Sequence, residues 1–413
     1  MINELLISGI LFITFHTASA QNHPTVMLSM DDAVKIAITN HPASKNAVLK
    51  VEAVKLQKQM AIDPGPMEVG YQYGQINSTL NDRFIEIGQN FGSPFTHIQK
   101  RRQARENIKL TEAEQKLVIK QLSADVKKAY TNWVYQYCKW KLLRQEAEEY
   151  NSFMMYIGEL KAETDSAQSS KADSAEVAER FELNSIETRY AEAQNENFQA
   201  EQEYKIATNQ LQQWLVADDN VAPGDSTLEL YSIKTINIGP DKFSPTNHLT
   251  YYQSLKNVSN AQLKVEQSRF FPEIGAGYFN QVINHQKGFQ GLSIGMTVPL
   301  WFIPQKARVA EARINQKIVE NEIEYQKFSL TKSIENLKIK LDQHFVSVSF
   351  YRENALENAD MQEKITAERF KKREINGASY LDSRNNILQT RLEYLEKLKE
   401  YNLTAIQLEY YVN

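Results

Sequence analysis

Cysteine is almost missing from this 413-residue chain, Cys138 being the only one. That excludes an internal disulfide framework and any metal site built from several thiolates. Glycine (15) and proline (11) are scarce too, so long regular elements should dominate over turns. Charge of one sign is also lacking. The 47 Lys and Arg nearly cancel the 51 Asp and Glu, leaving a formal net charge of −4. There is thus neither the basic excess of a nucleic-acid binder nor an acidic solvating tail. The seven histidines, at 16, 23, 41, 97, 248, 285 and 344, show no i, i+4 pair that could hold a metal. No glycine-rich phosphate loop and no serine nucleophile elbow are present, so nothing supports an enzyme, a metal site or a cofactor.

A spanning helix is absent as well. Residues 5–15 form the one apolar stretch, and a membrane-crossing helix needs roughly 20 such residues. Small residues at Ala18 and Ala20 just before Gln21 fit a signal-peptidase site, so residues 1–20 are expected to be a signal peptide. The leader is atypical in carrying Glu4 and no Lys or Arg before its apolar stretch; the competing reading is a buried N-terminal strand. A mature chain that enters a membrane would do so as strands.

What is present is a repeat. Asn40-His41 recurs as Asn247-His248, Gly70-Tyr71 as Gly277-Tyr278 and Ile87-Gly88 as Ile294-Gly295, all at one offset of 207 positions. The kinds of element recur in the same order. Each half opens with apolar residues at helical spacing, over 28–61 (with Ser29 or Asp31 as cap) and 248–268. Two segments of period-two alternation follow. Met67, Val69, Tyr71 and Tyr73 oppose Glu68, Gly70 and Gln72; Ile85 and Ile87 oppose Glu86 and Gly88. In the second half Ile274, Ala276 and Tyr278 oppose Gly275 and Gly277; Leu292, Ile294 and Met296 oppose Ser293 and Gly295. Strands with one greasy and one small or polar face, about 9–11 residues long, have the length of a tilted transmembrane β-strand. Next comes a very long helix in each half. Residues 97–163 hold no Pro and one Gly, and residues 305–374 hold neither. After short breaks at 164–170 and 376–379, helices return over 171–216 and 380–410. The chain thus divides into a first repeat (21–216, strand pair 67–91, helical hairpin 97–216), a linker (217–245) and a second repeat (246–413, strand pair 273–298, helical hairpin 304–410).

Helices of this length cannot bury their apolar stripes alone. Four strands cannot close a barrel, which takes about eight or more, and an open edge in lipid leaves unpaired backbone groups. These constraints predict a mainly α protein with a transmembrane β-barrel contribution, in which several protomers share one barrel and one helical tube.

Particular motifs carry a resemblance. Leu28, Ala33, Ala37, Asn40 and Pro42 are similar to the opening-helix pattern of the outer membrane efflux (TolC) family. Phe270-Phe271-Pro272-Glu273 resembles that family's lead into its third strand, and Val298-Pro299-Leu300-Trp301 its exit from the fourth. Asn376-Gly377-Ala378-Ser379-Tyr380-Leu381-Asp382 resembles its periplasmic tip turn. Together these span residues 28–410, with a slight lean towards the heavy-metal and drug members. The resemblance implies a homotrimer in outer-membrane lipid, with a twelve-stranded barrel and a periplasmic tunnel. It also implies two partners, a periplasmic adaptor and an inner-membrane RND-type transporter, which deliver metal ions, drugs or other small molecules. Many relatives carry an acylated Cys after the signal peptide; Gln21 stands there instead, so no lipid anchor is expected. The same fold could serve type I protein secretion. A soluble periplasmic coiled-coil adaptor is the alternative from another class, and it predicts one helical hairpin rather than two.

The candidate functional residues lie at the tips. Glu163, Asp165, Asp173, Glu374 and Asp382 would recur around a ring as an acidic collar that attracts cations and gates the pore, with helix capping as the plain alternative. Asn376, Gly377, Ser379 and Leu381 form the turn expected to meet an adaptor. The aromatics Tyr130, Trp133, Tyr135, Tyr137 and Trp140 point several ways around one helix, so they are expected to pack between helices. Phe270, Phe271, Trp301 and Phe302 read as a barrel-rim belt or as packing at the junction. Lys100, Arg101, Arg102 and Arg105 read as a solvated helix start, or as a phosphate-facing patch at the inner lipid boundary.

Overall fold

The computed structural model describes residues 26–165, 173–217, 221–225, 227–232 and 246–412. The expected signal peptide and its cleavage site lie outside the described residues.

The opening helix of the first half is two helices, α1 (Met30–Asn40) and α2 (Pro42–Gln57), where the sequence suggested one. The cause is Pro42. It has no N–H to donate and crowds the preceding residue out of the helical region, so His41 is extended at φ −67°, ψ 133°. Both starts are capped: the Asp32 amide donates to Ser29 Oγ at 3.2 Å, and the Ala43 amide donates to His41 Nδ1 at 3.1 Å. A short strand, β1 (Val26–Leu28), precedes them.

Strands β2 (Met67–Gly74) and β3 (Asp82–Asn90) lead into α3 (Pro94–Asp165). This helix runs 72 residues without a break, roughly 110 Å at 1.5 Å per residue. Helix α4 (Asp173–Leu215) returns along it, and β4 (Val221–Pro223) pairs in parallel with β1. The second half repeats the order: α5 (Thr246–Ser268), β5 (Glu273–Ile283), β6 (Gln286–Thr297), then α6 (Phe302–Phe350) and α7 (Leu356–Lys371), with α8 (Gly377–Val412) returning. A π turn, Tyr351–Ala355, joins α6 to α7, the Leu356 amide reaching back to the Tyr351 carbonyl. Neither Pro nor Gly marks it.

The four long strands form one antiparallel sheet in the order β2-β3-β5-β6, so the hairpins of the two halves meet at β3 and β5. Below the sheet, apolar side chains between helices form the core. The largest cluster holds Leu122, Val126, Tyr130, Trp133 and Val134 of α3 against Ala207, Leu211 and Leu215 of α4. The aromatics on α3 are therefore packing residues. Trp133 is fully buried and donates its indole N–H to Thr208 Oγ1 at 2.8 Å, while Trp140 stacks on Tyr204. Cys138 is a buried member of the same cluster.

Part of the segment between the halves is tied down. Tyr130 Oη lies 2.8 Å from the Leu28 carbonyl and 2.9 Å from Asp225 Oδ2. The buried Asn402 accepts from the Tyr231 amide and donates to the Glu229 carbonyl, both at 2.8 Å. Nearby, Lys127 Nζ sits 2.7 Å from Glu409 Oε2 and 2.7 Å from Tyr231 Oη.

Candidate functional site

The two faces of the sheet differ as the alternation requires. One presents Val69, Ile87, Tyr278 and Leu292 in a continuous row, flanked by Tyr71 and Ile85 on one side and by Met67, Ala276 and Ile294 on the other. Leu292 and Ile294 are 85% and 86% exposed, so nothing within the protomer covers this face. The other face is built of small and polar groups. The row Glu68, Gly88, Gly277 and Ser293 is followed, nearer the helices, by Asn90, Gly275 and Gly295. A Cβ at Gly277 would meet Ser293 Oγ at 2.6 Å and the Ile87 carbonyl at 3.2 Å, so a larger residue there would press on both neighbouring strands. Strands β2 and β6 are edges with no partner strand among the described residues.

At the far end of the sheet the turns are fastened by one carboxylate, Asp82. Asp82 is fully buried and accepts from Ser78 Oγ at 2.6 Å, the Asn77 amide at 2.8 Å and, from the other hairpin, the Asn284 amide at 3.0 Å. It locks the β2–β3 turn to the β5–β6 turn, where Asn284 and His285 hold positive φ of 51° and 63°.

Where the sheet meets the helices, Phe95 stacks on Phe271 at 4.4 Å and Phe270 on Phe302 at 6.3 Å. Those rings are packed against each other, whereas Trp301 is 83% exposed. Lys100, Arg101, Arg102 and Arg105 are all exposed at the start of α3.

Helix α6 carries two apolar seams. Ala312, Ile323, Leu330, Ile334, Leu341 and Val348 are buried, four of them in a cluster with Leu398, Tyr401, Ala405 and Leu408 of α8. Ile314, Ile318, Tyr325, Phe328, Ile339, Val346 and Phe350 are exposed. At 100° per residue the second set lies roughly 180° from the first, so the protomer satisfies one seam and leaves the other bare.

At the second tip, α7 ends with Arg373 in the left-handed region at φ 60°, and its amide bonds to the Phe370 carbonyl at 2.9 Å. Asn376 caps α8 by accepting the Ser379 amide at 3.0 Å. Asn376 and Ser379 are exposed. Gly377 and Leu381 are buried, Leu381 in a cluster with Tyr150, Phe153 and Ile186. Asp382 is paired with Arg189 of α4, and Glu374 lies 3.4 Å from Arg369. The side chains of Glu163, Asp165 and Asp173 lie outside the described residues, as does most of the first tip.

Just above the tip is a network that sequence spacing did not reveal. Arg384 of α8, its side chain 11% exposed, bridges Glu146 at 2.8 Å, Glu149, and Glu363 at 3.4 Å. Arg391 continues it to Glu363 at 2.7 Å and Asp360 at 2.9 Å. Burial works against the Arg384 charge, but the hydrogen bond and field of Glu146, then of Glu149, outweigh it and hold the guanidinium charged above its ordinary range. Burial, then Glu146, push the neighbouring Tyr150 phenol up to about 12. The histidines at equivalent repeat positions have structural surroundings: His41 stacks on Trp214 at 5.7 Å, and His248 packs against Tyr410 and Tyr411.

No helix among the described residues is long and apolar enough to cross a membrane. No family model matches the sequence, and no curated protein matches it. Solved structures do. The chain superposes on CusC, a protein that forms a transmembrane channel, with a TM-score of 0.75 over 96% of this chain and 94% of that one, at 14% identity. The open state of the Neisseria gonorrhoeae MtrE outer membrane channel gives 0.73 over 93% and 88%, at 15% identity. The outer membrane protein VceC of Vibrio cholerae gives 0.68 over 93% and 94%, at 11% identity. Nearly full-length agreement on both sides, with the sheet at one end and two helical hairpins below it, means that this chain has the fold of the TolC-type outer-membrane efflux channels.

Proposed function

We propose that the protein is the outer-membrane channel of a tripartite export system, a homotrimer that passively conducts metal ions, drugs or other small molecules. The observation that carries this is the sheet. It has an uncovered apolar face, a polar glycine-rich face and two unpaired edges, a combination that is stable only where lipid meets the first, water the second, and further strands the edges. Three copies supply twelve strands, enough to close a barrel. The bare α6 seam supports the same assembly, since a neighbouring protomer's helices would cover it.

In this reading the helices form a periplasmic tunnel whose tips meet a periplasmic adaptor, itself docked on an inner-membrane RND-type transporter. Asn376 and Ser379 are the exposed positions of the tip turn that an adaptor could touch, with Gly377 and Leu381 shaping the turn from beneath. Glu163, Asp165, Asp173, Glu374 and Asp382 remain the proposed acidic collar. The residues do no bond-making chemistry; the channel supplies a path, and the pump supplies the work.

The test is biochemical. The protein should fractionate with outer membranes, run as a trimer that heat dissociates, and give discrete conductance steps in planar bilayers. Recovery as a soluble monomer from periplasmic extract would instead favour the adaptor reading.

A further inference from the structure

The small-and-polar face of the sheet changes character towards its far end. The last row before the turns that runs across all four strands is Gln72, Phe84, Gln281 and Phe289, and the next is Gly70, Glu86, Phe279 and Gly291. Three phenylalanines thus gather beside Glu86 at one end of a face whose other residues are small, polar or acidic. Phe84 stacks on Phe279 with centroids 6.1 Å apart and 27° between planes. Phe279 lies across β6 at Gly291, where a Cβ would come within 2.8 Å of two ring atoms, so glycine is what lets the ring lie there. Glu86 is the direct cross-strand partner of Phe279 and is exposed. Among them stands Gln281, only 8% exposed, with its side-chain amide nitrogen lacking any hydrogen-bond partner among the described residues. An unpaired buried amide is unusual, because such a group costs stability unless something satisfies it. A bulge next to it, between Gln281 and Ile283, bends the strands at this level, and Gly288 opposite holds φ at 107°.

We propose that Phe84, Phe279, Phe289, Glu86 and Gln281 form a transit site near the outer mouth of the barrel for aromatic organic cations carrying a hydrogen-bond acceptor. The inference rests on the channel reading, which makes this face the lumen. Ring faces attract a cationic aromatic, the carboxylate supplies the opposite charge, and rotation of the Gln281 side chain presents its unpaired amide to the acceptor. A closed twelve-stranded barrel is about 24 Å across between backbones, from strand spacing and tilt. The glycine rows leave that width nearly open, and the phenylalanine rows narrow it. A solute therefore meets its first large apolar surface in the barrel at the mouth, where binding must be weak for export to continue.

The experiment is current block in planar bilayers, with berberine as the aromatic cation bearing ether oxygens and tetraethylammonium as a cation without rings. Berberine should block wild type at far lower concentration than tetraethylammonium. Phe84→Ala with Phe279→Ala should raise the half-blocking berberine concentration about tenfold, and Glu86→Gln about threefold, in channels that still conduct and still form the heat-dissociable trimer. Gln281→Leu should weaken berberine and leave tetraethylammonium unchanged. A conducting wild type that berberine blocks no better than tetraethylammonium overturns the transit site alone, as does equal block in the conducting Glu86→Gln and Phe variants. A wild type that forms no channel overturns the channel reading and this site with it.

Discussion

At the scale of single residues, the strongest commitments are buried charges. Removing Arg384 as Arg384→Met leaves Glu146, with only 8% of its side chain exposed, without its partner. Breaking one side of such a pair costs about 3–5 kcal/mol, because the remaining charge stays desolvated. The variant should melt well below wild type, and Arg384→Met with Glu146→Met should recover most of the loss; a melting temperature within a degree or so of wild type would discard the network as a stabiliser. His248 gives a pH dependence. Burial, then the neighbouring Lys120 charge, hold its imidazole below the ordinary value near 6.5, so the folded state keeps it neutral. The unfolded chain binds the proton first. The contribution is therefore complete above about pH 6.5 and is lost as pH falls through the lowered folded-state value. Thermal melts at pH 7.5 and pH 5 should show a smaller drop for His248→Asn than for wild type. Asp382 is a subtler case, since Arg189 engages it within the protomer. If it belongs to a cation-attracting collar, Arg189→Gln should raise cation preference in bilayers and Asp382→Asn should lower it; no change in either variant removes Asp382 from the collar.

At the scale of elements, the alternation of side chains makes a sharp contrast between adjacent positions. Ile294 stands on the apolar face and Ser293 on the polar one, next to each other on β6. In a barrel, Ile294→Arg should cost about 2–4 kcal/mol if it lies near the bilayer midplane, read as loss of folded protein in urea titrations from lipid vesicles. Ser293→Arg should fold normally and alter conductance; comparable destabilisation by both would mean the sheet does not sit in lipid. Much of this scale was legible in the sequence, because strand alternation and the near absence of Pro and Gly act locally. The break at His41 was legible in principle from Pro42, yet the helical spacing on either side masked it. The π turn at Tyr351–Ala355 carries no marker of its own. The Asp82 latch, the Arg384 network and the Asp382–Arg189 pair join residues far apart in the chain, where spacing says nothing about which carboxylate finds which cation. For the tip turn the motif was readable, but whether Leu381 faces a partner or its own core depends on helices packed behind it.

At the scale of the whole molecule, the question is what covers the surfaces one protomer leaves bare. The two seams of α6 lie on opposite sides of one helix, so folding α8 onto the first does nothing for the second. Seven large apolar residues, each more than half exposed, would then face water along most of α6. Burying such a side chain is worth roughly 1.5–3 kcal/mol, so the exposed seam is a strong drive to associate. Seam on identical seam would close a two-fold dimer, so a three-membered ring requires a head-to-tail contact in which the bare α6 seam meets a different surface of the next protomer, repeated until the ring closes. Phe328→Asp with Ile339→Asp should therefore leave secondary structure and the internal α6–α8 cluster intact while abolishing the heat-dissociable trimer. Circular dichroism and native mass measurement in detergent separate the two effects. A double variant that still assembles with wild-type heat resistance would show that α6 is not the contact, and that the strands alone hold the protomers together.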